Sequence, residues 1–275
     1  MESLKIFSKR PIPQEVALQS AQSNRGHRGG VISMHRALNH LQLGPGEVVN
    51  SVVLVIFAVV AWLTTLPWAC RFWGHVLKLG LRTLPLRSEF AISEHKEISF
   101  LHFQLPYLRI EPILPTPQIW GYTGLATVLL YAITYKLSGK WTPVIYLVRA
   151  MLIIQGTALL YFALIPTHFP HTPNSYMEGL ITSGVALISA VPFLFGLTYY
   201  IFKFSAVKKI FITLFAMAYL VIFLPLQMLL QALILQKTVL FMPLLYIVFG
   251  MPLDVVLVIA IYSYGMTWRT AGDRV

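Results

Sequence analysis

Charged residues are scarce in this chain. Aspartate, glutamate, lysine and arginine together make up 11% of its 275 residues, whereas soluble domains carry about 25%. Hydrophobic residues make up 57%, and the mean hydropathy is +0.70. A soluble protein needs a charged surface to stay in water, so this composition excludes an ordinary soluble domain and indicates an integral membrane protein.

Cysteine is almost absent, since Cys70 is the only one. The chain can therefore form neither an internal disulfide nor a cysteine-based metal cluster. The sequence also lacks a P-loop, a covalent haem motif and the helical H-E-x-x-H zinc motif. Its histidines lie outside the predicted spans, which argues against haem ligation inside the membrane. The sequence leaves any cofactor unknown.

Acidic residues are outnumbered by basic ones. There are 21 lysines and arginines against 10 aspartates and glutamates, a formal net charge of +11. The basic residues lie mainly in the N-terminal segment and in loops that flank apolar runs, where lipid phosphates attract them. The charge pattern therefore predicts membrane lipids as partners and excludes nucleic acid.

Long apolar runs dominate the rest of the chain. About 20 apolar residues are needed for a helix to cross a hydrocarbon core of about 30 Å. The runs are continuous rather than alternating, which favours helices over a β-barrel. We predict an all-α integral membrane protein, a polytopic bundle of about six transmembrane helices. The predicted spans are 49–70, 119–135, 142–166, 180–202, 210–235 and 239–264.

The loops predict an orientation. Lysines and arginines concentrate between spans two and three, between spans four and five and after span six, so the positive-inside rule places both termini in the cytoplasm. We expect a multi-pass protein of the plasma membrane, namely a bacterial inner membrane. The expected segments are a basic cytoplasmic tail with a surface helix (1–47), a first transmembrane helix (48–70), an extracytoplasmic lobe (71–118), five further helices (119–266) and a cytoplasmic C-terminal tail (267–275).

The predicted extracytoplasmic lobe mixes apolar and basic residues. Residues 71–87 suit a helix lying at the membrane interface, with apolar stems buried and charges among the headgroups. Alternation over residues 98–110 predicts two short strands on either side of a turn at Pro106 and Tyr107. Such a lobe has no core of its own, so we expect it to pack against the bundle or another subunit.

Two charged residues lie well inside predicted spans, Arg149 and Asp254. A single unpaired charge in lipid costs several kcal/mol, and the similar depths of these two residues suggest an ion pair. An alternative assigns Asp254 to a proton or ion pathway. Pro243, Gly250 and Pro252 precede it, so the last span is expected to bend and free backbone carbonyls near the carboxylate.

A second candidate site lies between spans three and four. His168, His171 and Glu178 could hold a metal ion or perform acid–base chemistry at the membrane surface. His95 or His102 of the lobe could supply a further ligand. The favoured interpretation is a hydrogen-bonded turn, because two histidines in a proline-bearing loop do not form the helical zinc motif.

Three glutamines lie within the predicted spans: Gln155, Gln227 and Gln231. Amide side chains in lipid commonly hydrogen-bond to neighbouring helices. Gln227 and Gln231 stand four residues apart and so share one helix face. We expect these glutamines to serve helix packing rather than substrate binding.

For the whole chain we expect a non-catalytic membrane subunit that assembles with or stabilises a larger membrane protein complex. The shortage of polar groups in the spans and the coreless lobe both favour this expectation. Two alternatives stay open: a small transporter or permease component that uses Asp254, and an outward-facing membrane enzyme that uses His168 and His171.

Overall fold

The computed structural model describes residues 45–93, 104–136, 141–166, 169–199 and 205–267. Seven α-helices and two strands make up most of these ranges. They are α1 (Pro45–Thr83), β1 (Ser88–Ser93), β2 (Leu105–Ile110), α2 (Pro117–Ile133), α3 (Thr142–Leu164), α4 (Pro173–Tyr199), α5 (Ala206–Leu235), α6 (Met242–Val248) and α7 (Met251–Thr267). A 3-10 turn, Val239–Phe241, leads into α6. The predicted surface helix and most of both tails fall outside the described residues.

Five helical segments are long and apolar enough to cross a membrane, which indicates a multi-pass membrane protein. They are Val48–Thr83, Thr142–Leu164, Pro173–Tyr199, Ala206–Leu235 and Val239–Gly265. The remaining predicted span corresponds to α2, which is apolar but has only 17 residues. At 1.5 Å per residue it is about 25 Å long, slightly less than a hydrocarbon core.

The first helix extends well beyond its predicted end. α1 runs for 39 residues with Pro67 inside it, and at 1.5 Å per residue it is about 58 Å long. Residues 71–83 therefore continue α1, and no separate interfacial helix occurs there. A proline removes one helical hydrogen bond, but helix packing can compensate for it. α1 is therefore almost twice as long as a hydrocarbon core of about 30 Å is thick, and its second half extends beyond that core.

The two strands form an antiparallel hairpin beside the end of α1. Ser88 pairs with Ile110 and Ser93 with Leu105. The predicted turn at Pro106 and Tyr107 is wrong, because both residues lie within β2. β2 buries Leu105, Leu108 and Ile110 against the bundle. The predicted strand residues 98–103 lie outside the described residues.

The main core lies between α1, α4 and α5, with β2 and α7 at its edges. Trp73 and Leu77 of α1 are completely buried in it. Small residues allow the helices to approach closely: a Cβ atom added to Gly184 of α4 would lie 2.5 Å from Leu224 Cδ2 of α5. α4 and α5 pack against each other in this way, and both also contact α7 of the last span.

The hairpin of α2 and α3 lies at the edge of the bundle. α2 has no buried residue, whereas α3 buries Leu159 and Phe162 against Val239 and Leu240. The indole Nε1 of Trp120 donates to the Leu159 carbonyl at 2.9 Å, joining α2 to α3. This hairpin therefore meets the bundle mainly through the segment that begins the last span.

Candidate functional site at the broken last span

The last apolar span is interrupted in its middle. α6 ends at Val248, Phe249 and Gly250 are non-helical, and α7 begins at Met251. Pro252 has no backbone N–H, so it is tolerated in the first turn of a helix but cannot continue a preceding one. A Cβ atom on residue 250 would lie 2.8 Å from the Tyr246 carbonyl oxygen, which explains a glycine there.

At the interruption, side chains of α5 bind the Phe249 carbonyl, while the Gly250 carbonyl also accepts from the backbone N–H of Leu253 at 3.1 Å. Gln227 Nε2 donates to the Phe249 carbonyl and, at 3.5 Å, to that of Gly250. Gln231 Nε2 donates to the same Phe249 carbonyl. The Tyr176 hydroxyl of α4 donates to Gln231 Oε1. Three helices thus meet in one polar cluster inside the span.

Asp254 lies one turn beyond the interruption, in the first turn of α7. Its side chain is only 2% exposed, and the Gln227 amide lies next to its carboxyl group. Asp254 Oδ1 and Gln227 Oε1 are both buried and have no hydrogen-bond partner among the described residues. The helix N-terminus favours a negative charge at this position, but no described lysine, arginine or histidine forms an ion pair with Asp254.

The Asp254 carboxyl group has no cationic partner among the described residues. Burying an unpaired carboxylate in a membrane costs free energy, and the group avoids this cost by taking up a proton or binding a cation. Two acceptor oxygens, Asp254 Oδ1 and Gln227 Oε1, lack donors in the same cluster. A proton or a small cation supplies what both oxygens lack. Carbonyls at a helix break also offer oxygen ligands to a cation.

A cavity of about 490 Å³ adjoins the cluster. His171 and Ser175 line it near the beginning of α4, while Tyr176 and Tyr246 line it closer to the helix break. The two tyrosine rings lie 5.9 Å apart between their centroids. Because Tyr176 both lines the cavity and binds Gln231, it connects the cavity with the polar cluster.

The structure does not bring Arg149 and Asp254 together. Arg149 Nε donates to Thr134 Oγ1 at 2.9 Å and Nη2 donates to the Thr134 carbonyl at 3.3 Å. Its guanidinium lies 4.5 Å from the centroid of the Tyr135 ring, a cation–π contact. Arg149 therefore joins α3 to the end of α2. Asp254 instead lies beside Gln227 of α5.

The predicted histidine site is only partly described. His168 lies outside the described residues, as do His95 and His102. The ring of His171 lies 6.0 Å from that of Phe169, and Glu178 accepts a hydrogen bond from Ser93 of β1. Within the described ranges, no group of three histidine, cysteine, aspartate or glutamate side chains could hold a metal ion. Glu178 thus joins α4 to the β-hairpin.

The third predicted glutamine occupies a similar position on another helix. Gln155 Nε2 of α3 donates to the Leu240 carbonyl at 3.4 Å. All three glutamines therefore bind main-chain carbonyls of the last span. Two further members of the cluster, Tyr176 and the Phe249 carbonyl, are not predicted by the sequence as functional groups. Gly250 and Pro252 were the available signal for the freed carbonyl, whereas Tyr176 gave none.

Comparisons with known proteins provide no family for this chain. No family model, curated protein or solved structure matches it.

Proposed function

We propose that this chain is a membrane transport component that binds a proton or a small monovalent cation at Asp254. The observation that supports this function best is the buried carboxylate oxygen Oδ1, which has no hydrogen-bond partner among the described residues. It lies beside a helix interruption, and broken helices with an acid nearby are typical binding sites in transporters. Gln227 and Tyr176 extend the polar cluster across three helices.

Each member of the cluster has a separate role in this proposal. Asp254 carries the proton or the charge that compensates the cation. Gln227 offers its Oε1 atom and holds the Phe249 and Gly250 carbonyls in place through its Nε2 atom. Tyr176 separates the cluster from the adjoining cavity, so it is suited to control access from that side.

A ligand that binds only the folded protein raises its melting temperature. The test compares melting of the detergent-purified full chain in choline chloride, NaCl and KCl, each over a range of pH. We expect protons or one cation to raise the melting temperature by about 5 °C at saturating concentration. Asp254→Asn should remove this response and keep the fold, because asparagine has the same shape and no charge.

The matched control replaces an exposed carboxylate. Glu111 is exposed and follows β2, so Glu111→Gln should respond to protons and cations as the unmodified chain does. If Asp254→Asn keeps the full response, the site lies elsewhere and the proposal fails. If the unmodified chain responds to neither protons nor cations, Asp254 has a structural role only.

A second function, the subunit of a larger membrane complex, is favoured by the α2–α3 hairpin. α2 has no buried residue, and its exposed face carries Val128 at 67% exposure. A photocrosslinker at Val128 should capture a defined protein in the native membrane under this function. The same group at Phe193, exposed on α4, is the control position. Equal crosslinking to lipid at both positions would contradict the subunit role.

The proposed membrane arrangement includes α2 as a short sixth span. Six spans place both termini on the same side, and the distribution of basic loop residues supports the cytoplasm as that side. The hairpin of β1 and β2 then lies on the extracytoplasmic face, and a bacterial inner membrane is the proposed location. Single cysteines introduced near residues 46 and 89 of a Cys70→Ala variant test this arrangement through their accessibility to an impermeant thiol reagent.

A further inference from the structure

A cleft of about 400 Å³ lies between the second half of α1 and the β-hairpin. Arg71, His75 and Lys78 line it from α1, and Phe90 and Pro106 line it from the hairpin. The three basic residues lie three or four positions apart, so they share one face of the helix. We propose that this cleft binds the phosphate headgroup of an anionic phospholipid.

The charge of the cleft favours a phosphate. None of the described residues that line it is acidic. Glu89, the nearest acid on β1, alternates with Phe90 along the strand and stands opposite Arg109 on β2. Successive residues of a strand point to opposite faces, so the Glu89 carboxylate faces away from the cleft.

The basic side chains are held in position. His75 Nδ1 lies 2.7 Å from the Arg71 carbonyl oxygen, and a carbonyl only accepts, so Nδ1 carries the hydrogen. This hydrogen bond fixes the orientation of the imidazole ring, and Arg71 and Lys78 supply the N–H donors for a phosphate. The Lys78 ammonium lies 4.7 Å from the centroid of the Phe90 ring, a cation–π contact that orients it. Arginine and lysine are the side chains that most often bind phosphate.

The level of the cleft along α1 indicates a lipid rather than a soluble ligand. A crossing that begins at Val48 needs about 20 residues and ends near residue 68. Trp68 is 76% exposed, as expected for an aromatic side chain at the membrane interface. Arg71 and His75 follow within two turns, which places them at the level of the lipid phosphates.

The remaining walls also suit a phospholipid. Phe90, Ile92 and Pro106 provide apolar surface beside the basic face. A free phosphate ion gains nothing from such surface, whereas the glycerol and upper acyl carbons of a lipid lose contact with water against it. The cleft does not involve Asp254, so this inference is independent of the proposed transport function.

The test measures lipid retained by the full chain. The protein is reconstituted in nanodiscs containing equal amounts of phosphatidylglycerol and phosphatidylcholine, released, and analysed by native mass spectrometry. We expect the unmodified chain to retain one phosphatidylglycerol in preference to phosphatidylcholine. In Arg71→Gln/Lys78→Gln this preference should fall about 30-fold, because each basic residue near a membrane surface contributes roughly a fivefold preference.

Arg82→Gln is the matched control. Arg82 is exposed in the last turn of the same helix and does not line the cleft, so its replacement should leave lipid retention unchanged. Melting temperature in pure phosphatidylcholine verifies that each variant folds. If Arg82→Gln lost as much phosphatidylglycerol as Arg71→Gln/Lys78→Gln, the overall charge of the protein would explain the retention. That result would overturn the inference.

Two further outcomes would also overturn it. One is retention of phosphatidylglycerol and phosphatidylcholine in equal amounts by the unmodified chain. The other is displacement of the bound lipid by millimolar inorganic phosphate, which would assign the cleft to a soluble phosphate. Persistence of the lipid in inorganic phosphate supports the phospholipid headgroup as the ligand.

Discussion

The indole Nε1 of Trp73 donates to the backbone carbonyl of Val221 at 2.7 Å. In a regular helix this carbonyl would accept from the N–H of the residue four positions later. That residue is Pro225, which has no N–H. Trp73 of α1 therefore replaces the hydrogen bond that Pro225 removes from α5, and the two helices are joined at the point where α5 is weakened.

This relationship predicts that the effects of Trp73 and Pro225 are not additive. Trp73→Phe should lower the free energy of unfolding by about 1–3 kcal/mol, because a buried carbonyl loses its donor. Pro225→Ala restores a backbone N–H at that position, so the same tryptophan replacement should cost less in the double variant. Denaturant unfolding in detergent measures all four proteins. Trp68→Phe is the control, since Trp68 is exposed.

Equal costs of Trp73→Phe in both backgrounds would contradict the explanation. They would mean that Trp73 stabilises the fold through apolar packing alone.

The helix interruption predicts a strong difference between glycines. Gly250→Ala should destabilise the fold, because its Cβ atom would lie 2.8 Å from the Tyr246 carbonyl oxygen, a backbone atom that cannot move freely. At Gly124 of α2 an added Cβ atom meets nothing within 4 Å. Gly124→Ala should therefore be neutral or stabilise by up to about 1 kcal/mol through helix propensity. Melting temperatures of the two variants provide the comparison.

The hydrogen-bond chain from Tyr176 through Gln231 to the Phe249 carbonyl predicts an order of effects. Tyr176→Phe removes one donor and leaves one acceptor of Gln231 free. Gln231→Leu removes both bonds and leaves a buried hydroxyl unpaired, so it should cost more, about 2–4 kcal/mol against about 1–2 kcal/mol. In a double-mutant cycle the two changes should show coupling. Additive effects would indicate that the two bonds do not act as one chain.

The separate surroundings of Arg149 and Asp254 predict the result of exchanging their charges. Arg149→Asp combined with Asp254→Arg should yield no more folded protein than either single change, because the two side chains have different partners. Thr134→Val should instead weaken the end of the α2–α3 hairpin, since Thr134 Oγ1 accepts from Arg149 Nε. The yield of monodisperse protein after detergent extraction is the measurement. If the exchanged variant recovered the yield of the unmodified chain, the ion pair predicted from the sequence would be supported instead.

The sequence predicted the site in part. Gly250, Pro252 and the nearby Asp254 indicated a bend with freed carbonyls, and the structure places an interruption there. The partner of Asp254 was not predictable, because hydropathy gives the depth of a residue in the membrane but not the direction of its side chain around the helix. The predicted spans give Arg149 a similar depth, yet the structure places it on Thr134, only fifteen residues earlier in the chain.

The register of the β1–β2 hairpin was also not predictable from the sequence. Alternation predicted strands around a turn at Pro106 and Tyr107, whereas both residues lie inside β2, paired with Ile92 and Ala91. Strand registers depend on which face is buried. Here the buried face is provided by the bundle, to which β2 turns Leu105, Leu108 and Ile110.

The sequence alone determined that this protein belongs in a membrane and approximately where its long helices lie, because a run of about 20 apolar residues is a local property with a local physical cause. The tertiary structure decided which polar groups meet. Only the packing of α4 and α5 against the interrupted span brings Gln227 and Gln231 to the Phe249 carbonyl near Asp254 and places Tyr176 on Gln231. Such meetings depend on the rotation of each helix about its axis, which side-chain packing sets and hydropathy does not encode.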